Sequence, residues 1–546
     1  MVIHGLAGLF LVSGCGGSGS GANGSTDISE GAWEDIPLMS TTDLLVRASL
    51  DLRGIRPSEE EIVRIEEDEA AFSELVEEFL HHENFPLRVM DLFSEPFRTR
   101  FEAYPVTAAD FGLEDEAEFV SAVGDEPLQI LARIAAEDLP YTEIVTGNWS
   151  MANEVLGVAW PVDYPEGETG WQVVSYTDER PAAGVLATST FYWRYPTTES
   201  NENRGRANAV SRIFLCNDYL EMPIDFSDDL DFSDDSAVSD ALRTDPACMG
   251  CHSSLDPLAS YFYGFWTWID GSVMDATLYH PERELLWQNY SGLAPQYYGQ
   301  PGTSLEDLGQ QIAGDNRFIR CAVETVFEGL LRRDAMIEDE DHLVAHREVF
   351  LEDLTLRSLF RTLMHDSWYQ AGDTDEDGAV SRKLVTVDQL SSQIEDLTGF
   401  RWTDNGFGML QTDRDGLRTL AGGTDAQTVF RNATIPNATL LLVQERLAEA
   451  AAAHSIDTEL LQSADERRLF TKIDFTETYD SDLDAVVSQI QELHLRVFGD
   501  RVSPDGQEVE ANLELWGDLF ELTNEPHMAW AGLLTALLRD PEILLY

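Results

Sequence analysis

Five consecutive residues near the middle of the chain, Cys248-Met249-Gly250-Cys251-His252, have the types and spacing needed to attach haem covalently. In a C-x-x-C-H pattern the two thiols reach the two vinyl groups on one porphyrin edge, and the adjacent imidazole reaches the iron. The chain has five cysteines and eleven histidines, so chance would give the pattern roughly once in a thousand such chains. The motif therefore predicts one c-type haem bound through Cys248, Cys251 and His252.

The N-terminus predicts export and lipid anchoring. Ile3 to Val12 is an apolar run that is too short to span a bilayer but suits the core of a signal peptide. It leads into Val12-Ser13-Gly14-Cys15, which is similar to the lipobox of bacterial lipoproteins, and a Gly/Ser-rich tether follows. We therefore expect a lipid on Cys15 and a body held outside the cytoplasm, periplasmic or at the cell surface. A buried strand with a chance cysteine is the alternative.

The remaining cysteines, Cys216 and Cys321, leave two interpretations open. With lipid and haem assigned, they are the only thiols left, and an oxidising compartment favours a disulfide between them over two buried free thiols. Alternatively, they complete a zinc site with Cys248 and Cys251. A thioredoxin-like use of the C-x-x-C pair would need a βαβ context, which the sequence does not contain.

The sixth haem ligand decides between electron transfer and ligand binding, because two protein ligands make a carrier and an open position admits a small molecule. Met274, 22 residues after His252 in a predicted loop, is the first candidate. His280 is the second, ahead of the distant Met222, Met409, His365 and His527. Aromatic residues that follow the motif could cover a porphyrin face or form an ordinary core: Tyr261, Phe262, Tyr263, Phe265, Trp266 and Trp268.

A partial calcium loop is predicted in an acidic segment. Asp373, Asp375 and Asp377 precede Gly378 and match the first half of an EF-hand loop. Leu384 stands at the twelfth position, where a bidentate glutamate is required. Calcium binding and a solvated acidic turn are both compatible with this pattern.

The charge balance excludes some classes of partner. The chain has 100 acidic and 35 basic residues, a net charge of −65, and only two of the basic residues, Lys383 and Lys472, are lysines. Such a surface repels phosphate backbones, so no nucleic-acid partner is expected. The sequence contains no glycine-rich loop with a neighbouring lysine, so no nucleotide site is expected. The acids are spread along the chain, which favours a solvated coat suited to a salty habitat over a patch for a cationic partner.

Apolar spacing predicts a mainly α fold of several helical modules, with a haem-binding segment and long irregular loops. Ser58 and Glu61 form a capping-box signature, and three helical stripes lie near residues 72–80, 440–450 and 533–538. Trp171 to Tyr176 could be a short strand. The predicted divisions are a signal at 1–15, a tether at 16–38, helical modules at 39–125 and 126–197, a haem module at 198–300, a helical module at 301–370, an acidic loop at 371–384 and a C-terminal helical module at 385–546.

The sequence resembles the planctomycete-type cytochrome c proteins, large secreted bacterial proteins assembled from domains of unknown function. The resemblance rests on Pro246-Ala247 before the motif and Asp256-Pro257-Leu258 after it. Weaker similarities are Arg47 to Gly54 with Pro57-Ser58, Ile144-Val145-Thr146, Met151 to Glu154, and the positions of Cys216 and Cys321. Ala259 stands where the family usually has glycine. The resemblance implies a c-type haem lipoprotein.

Three functions remain open at this level. The preferred one is a mono-haem electron-transfer protein, anchored to a membrane through its lipid and exchanging electrons with an unidentified redox partner. The second is a haem enzyme with an open coordination position, for example a peroxidase-like one. The third is a structural lipoprotein whose cysteines hold zinc or disulfides. No residue cluster identifies a substrate, so whether the protein is an enzyme is undecided.

Overall fold

The computed structural model describes residues 37–223, 233–267, 272–372, 382–478 and 481–546. Helix accounts for 58% of the structure and strand for 4%, so the predicted mainly α fold is confirmed. Every strand within these ranges belongs to a short two-stranded antiparallel pair. The positions of functional side chains are therefore set by helix packing.

The helices in chain order are α1 Thr41–Arg53, α2 Glu59–Glu67, α3 Ala71–Leu80, α4 Phe85–Phe97, α5 Glu116–Glu137, α6 Glu143–Thr146, α7 Glu154–Ala159, α8 Ser189–Arg194, α9 Arg204–Leu215, α10 Asp235–Thr244, α11 Pro246–Ala259, α12 Val273–Thr277, α13 Leu305–Ala313, α14 Asn316–Leu331, α15 Glu340–Asp353, α16 Leu356–Met364, α17 Val387–Thr398, α18 Leu417–Leu420, α19 Ala438–Glu459, α20 Leu483–Phe498, α21 Gln507–Thr523 and α22 Pro526–Leu538. The strand pairs are β1 Ser150–Ala152 with β2 Gln172–Val174, β3 Gln296–Tyr297 with β4 Gln300–Pro301, and β5 Thr403–Asp404 with β6 Phe407–Gly408. Short 3-10 helices are at Ala108–Phe111, Gly184–Ala187, Ser260–Phe265, Pro281–Gln288, Ile337–Asp339 and Pro541–Leu544.

Local signals in the sequence account for several helix ends. The Ser58 side chain accepts from the Glu61 amide, and the Glu61 carboxylate accepts from the Ser58 amide, so the predicted capping box is confirmed at α2. Asn437 caps α19 by accepting from the Leu440 amide. The predicted strand is also confirmed, since β2 lies within Trp171 to Tyr176.

Two large hydrophobic cores organise the chain. The first is built from α1 to α6, α8, α9, α11 and α13 to α16. The second is built from α17 and α19 to α22 and takes in Val46 and Leu50 from α1. The first core crosses the predicted divisions between residues 39 and 370, and α5 runs without interruption through the division predicted at 125/126. Helices from these predicted modules therefore bury apolar faces against each other. A third, smaller cluster is formed by residues between Tyr104 and Trp193.

Helix α1 lies between the two cores and carries a buried carboxylate. The Asp51 side chain accepts hydrogen bonds from the hydroxyls of Tyr369 at 2.9 Å and Tyr546 at 2.6 Å. Lys383 Nζ lies 3.4 Å from the same carboxylate and donates to the Leu330 carbonyl at 2.5 Å. Burial lowers the pKa of Lys383 to about 7 against the opposing attraction of Asp51. These bonds connect α1 to the start and the end of the C-terminal region.

A second buried carboxylate orders the segment around β1 and β2. Glu126 of α5 accepts from Ser150 Oγ at 3.3 Å, Trp160 Nε1 at 3.2 Å and the Thr190 amide at 3.2 Å. It also accepts from the Tyr176 hydroxyl. Four donors on separate segments thus converge on one side chain that is fully buried.

Candidate functional site

The haem motif lies on α11. Asp245 caps this helix by accepting from the Ala247 amide at 2.8 Å, and Pro246 occupies the first turn, where its missing N–H costs no hydrogen bond. Residues three and four positions apart share a helix face, so Cys248 lies beside both Cys251 and His252. The three side chains predicted to hold haem therefore project from one side of one helix.

The imidazole of His252 is oriented by a carboxylate. His252 Nδ1 lies 2.8 Å from Asp256 Oδ1, one helical turn further along α11. Asp256 in turn accepts from Arg204 Nε of α9 at 2.7 Å. Burial raises the pKa of Asp256, but the bonds from His252 and Arg204 outweigh it and hold that pKa below its usual value. Within the described residues His252 Nε2 has no hydrogen-bond partner, so this nitrogen is left for another ligand.

Both cysteines of the motif are free thiols. Cys248 is buried and Cys251 is partly buried. Cys251 Sγ lies 3.6 Å from Met222 Sδ. Two unoxidised thiols beside an imidazole with an available Nε2 are the donor set that covalent haem attachment requires. The types and spacing of these residues therefore match those that hold the group.

Cys216 and Cys321 form a disulfide with an S–S distance of 2.14 Å. The bond joins the C-terminal end of α9, where Cys216 is the cap residue, to α14. Because these sulfurs are bonded to each other, they do not provide thiolates to complete a four-cysteine zinc site with Cys248 and Cys251. The predicted four-cysteine zinc site therefore lacks two of its four ligands.

The candidates for the sixth ligand are dispersed. Met274 belongs to α12, so the prediction of a loop there is wrong, and its side chain lies outside the part of the chain that is described. Both ring nitrogens of His280 are engaged, with the Asp275 carbonyl at 2.9 Å and with Glu282 at 3.3 Å. Met222, which we expected to be distant, is the candidate that contacts a cysteine of the motif. Of the others, His365 packs on Phe72, His527 faces Glu525, and Met409 follows β6.

The aromatic run after the motif is part of the core. Tyr261, Phe262, Tyr263, Phe265 and Trp266 are each almost fully buried. Phe265 stacks on Tyr192 with ring centroids 3.6 Å apart, and Tyr263 stacks on Trp266 at 5.1 Å. These rings are covered by other side chains, which matches the core alternative. Trp268 lies outside the described residues.

A cavity of about 420 Å³ borders α11 on another side. Its lining includes Met222, Gly250, Ser254 and Tyr298. Consecutive helical residues are about 100° apart, so Gly250 and Ser254 project away from the side that carries His252. The cavity is therefore separate from the face that presents the imidazole.

A second group of potential ligands, absent from the sequence analysis, lies at the end of α16. His342 Nδ1 and His346 Nε2 each lie 2.7 Å from Asp366 Oδ2. Burial raises the pKa of Asp366, but the bonds from His346 and His342 outweigh it and keep the pKa below its usual value. The spacing of two histidines four residues apart on α15 was the signal available in the sequence. The aspartate arrives through the tertiary fold, which spacing alone does not reveal.

Four further predicted site residues, Cys15, Asp373, Asp375 and Asp377, lie outside the described residues. The lipid anchor and the partial calcium loop therefore stay predictions. Within the described ranges, no helix combines the length and apolarity needed to cross a bilayer.

Comparison with known proteins gives no assignment. No protein family, curated protein or solved structure matches this chain. The functional argument accordingly rests on the residues themselves.

Proposed function

We propose that this chain is an exported, lipid-anchored c-type haem protein that carries one haem and transfers electrons to or from a redox partner outside the cytoplasm. The observation that carries the proposal is the donor set on α11: two free thiols and an imidazole whose Nδ1 is already bonded to Asp256. The resemblance to planctomycete-type cytochrome c proteins agrees with it. A bound haem would supply a one-electron redox centre.

The chain's own residues prepare the iron ligand. The Asp256 carboxylate accepts a hydrogen bond from His252 Nδ1. This bond favours the tautomer with the proton on Nδ1, whose Nε2 lone pair can bind iron. A carboxylate at this position also makes the imidazole a more basic ligand. The ion pair with Arg204 keeps Asp256 ionised and fixes its orientation, so the ring is held in place before any ligand arrives.

A haem enzyme with an open coordination position is the second candidate, and two observations favour it. A carboxylate on Nδ1 increases electron donation from the proximal ligand, which stabilises the oxidised iron and suits ligand activation more than a high-potential carrier. In addition, His280 has both ring nitrogens occupied, which removes one candidate for a closed sixth position.

The deciding experiment is expression of the full chain together with a cytochrome c maturation system. We expect a Soret band that stays with the polypeptide after denaturation and a mass increase of one haem. Cys248→Ala and Cys251→Ala should each remove one thioether, and the double variant should release the haem on denaturation. Met249→Ala, within the same motif but with its side chain exposed, is the matched control and should keep the haem. A matured chain without added haem mass refutes the proposal and leaves the structural-lipoprotein alternative.

The spectrum of the loaded protein separates the two haem functions. A low-spin spectrum that cyanide and carbon monoxide do not change supports electron transfer. A high-spin spectrum that either molecule changes supports the enzyme. Substituting Met274 and Met222 by alanine, one at a time, identifies a methionine ligand, since loss of that ligand changes the visible spectrum.

Anchoring is tested separately. The full chain should partition with membranes after export, and Cys15→Ser should release it and remove the mass of the lipid. Equal membrane association of both proteins contradicts the lipobox interpretation of Val12 to Cys15.

A further inference from the structure

We propose a metal site, independent of the haem motif, in which His342, His346 and Asp366 bind one divalent transition-metal ion, zinc being the best match. One nitrogen of each histidine and one Asp366 carboxylate oxygen all lie within 4.8 Å of one another. His342 Nδ1 and His346 Nε2 are the nitrogens that contact the carboxylate. Two imidazoles and a carboxylate are a donor set that zinc uses with a fourth position left for water. The two nitrogens disfavour calcium and magnesium, which prefer oxygen ligands.

Two of the ligands lie on one helix and the third lies two residues beyond the end of another. His342 and His346 are one turn apart on α15 and project from the same face. Asp366 follows α16 and meets them by packing of α16 against α15. Such a rigid arrangement lowers the entropic cost of assembling a site.

Outer hydrogen bonds point two of the ligands at a common centre. The Trp368 amide donates to Asp366 Oδ1 at 2.7 Å, which leaves Oδ2 for the ion. Thr362 Oγ1 lies 3.3 Å from His346 Nδ1 and can accept a hydrogen bond from its N–H, so that the Nε2 lone pair faces the ion. Partners of this kind accompany metal-binding histidines and carboxylates.

The burial and charge of the three ligand residues also suit a cation that has one coordination position open to solvent. His346 and Asp366 are only 5% and 8% exposed, whereas the His342 side chain is 29% exposed. A buried carboxylate needs a compensating cation or donors, and solvent reaches the ion position past His342. Arg333, the nearby arginine, is paired with Asp339 at 2.6 Å, so it adds no uncompensated positive charge.

The competing arrangement is a hydrogen-bonded clamp, in which both imidazoles donate to Asp366 and no metal binds. The 2.7 Å contacts suit such a clamp. In tetrahedral zinc with bonds of about 2.0 Å, ligand atoms lie about 3.3 Å apart. For zinc to bind, both imidazole nitrogens must therefore move about 0.6 Å away from Asp366 Oδ2. Zinc binding therefore distinguishes the two arrangements.

The test uses the full chain carrying Cys248→Ser and Cys251→Ser, so that free thiols do not bind the probe. After treatment with a chelator, zinc chloride alone is titrated calorimetrically in high salt with excess magnesium, which suppresses binding to the acidic surface. We expect one zinc per chain and a zinc-dependent rise in melting temperature. X-ray absorption at the zinc edge should show nitrogen and oxygen neighbours.

Variants assign the site. His342→Gln, the least buried change, should weaken zinc binding by more than a hundredfold, beyond the roughly 10–100-fold effect of losing an outer-shell partner. Thr362→Val should weaken it by about 10-fold or more. Asp366→Asn should also abolish binding, with circular dichroism as the check on folding.

The exposed His454, changed to Gln, is the control and should bind as the parent does. No zinc binding by the parent, or equal binding by His342→Gln, overturns the proposal. Neither outcome depends on haem.

Discussion

His252 Nδ1 and Asp256 Oδ1 lie 2.8 Å apart across one turn of α11, so the motif histidine has a carboxylate partner from its own helix. In the haem-loaded protein this bond would set the basicity of the iron ligand. Asp256→Asn keeps the size of the side chain and removes its charge. We expect the midpoint potential to rise, because a less basic imidazole stabilises the oxidised iron less. Potentiometric titration measures this, and Ser253→Ala, exposed on the same helix, is the control that should not shift.

The same carboxylate should make stability depend on acidity. The pKa of Asp256 is held below its usual 3.8 in the folded chain. A depressed carboxyl pKa contributes stability that is present above the unfolded value and is lost as the pH falls through the folded one. Asp256→Asn should cost about 1–3 kcal/mol at neutral pH and less below pH 4. Urea unfolding at both pH values tests this; an equal cost at the two would contradict it.

Glu126→Gln should destabilise the fold although it is nearly isosteric. All four partners of Glu126, on Ser150, Trp160, Tyr176 and Thr190, are donors. A glutamine amide would turn an N–H₂ group toward two of them, at a cost of about 2–4 kcal/mol in the free energy of unfolding. Glu137→Gln, at the exposed end of the same helix, is the matched control and should change it little. Equal stability of the two variants would show that the carboxylate is dispensable.

Lys383→Met should alter the pH dependence of stability. The folded chain releases the Lys383 proton near pH 7, whereas the unfolded chain holds it up to about its usual 10.5. Burying the charged lysine lowers the free energy of unfolding by an amount on the order of several kcal/mol. This loss is fully present below pH 7 and decreases as the pH rises toward the unfolded pKa. Between about pH 7 and pH 9 the parent should therefore gain stability relative to Lys383→Met.

The other lysine provides the control for that experiment. Lys472 has a side chain that is 45% exposed and forms an ion pair with Glu492. Lys472→Met should follow the parent through the same pH range. If Lys383→Met follows the parent as well, Lys383 does not titrate in this window.

Salt should stabilise the fold. A net charge of −65 makes the compact state repel itself, and added sodium chloride screens that repulsion. We expect the urea midpoint to rise steadily from low to high salt. A midpoint that is independent of salt would contradict the interpretation of the acidic residues as a coat suited to salty surroundings.

Patterns that act within a few residues could be predicted from the sequence. The capping box of Ser58 and Glu61, the Asn437 cap and the apolar stripes all form as their spacing requires, because local hydrogen bonds and one buried face determine them. The placement of Cys248, Cys251 and His252 on one helix face follows from the same short spacing.

Contacts between distant segments could not be predicted in this way. Asp51 meets Tyr546, and His342 meets Asp366, only because whole helices pack together. The aromatic run from Tyr261 to Trp266 shows the converse limit, since composition alone does not distinguish a cofactor cover from a core. Met222 precedes Cys251 by 29 residues and is adjacent to it for the same tertiary reason.

The bond between Cys216 and Cys321, 105 residues apart, closes a covalent ring of chain that has α11 inside it. Four cysteines can pair in three ways, and of these only the native pairing joins Cys216 to Cys321. Misplaced disulfides can reshuffle, but a thioether cannot. If haem is attached before oxidation, Cys248 and Cys251 can no longer form disulfides. Cys216 and Cys321 can then pair only with each other. The order of two events during biogenesis would then govern the yield of correctly bonded protein.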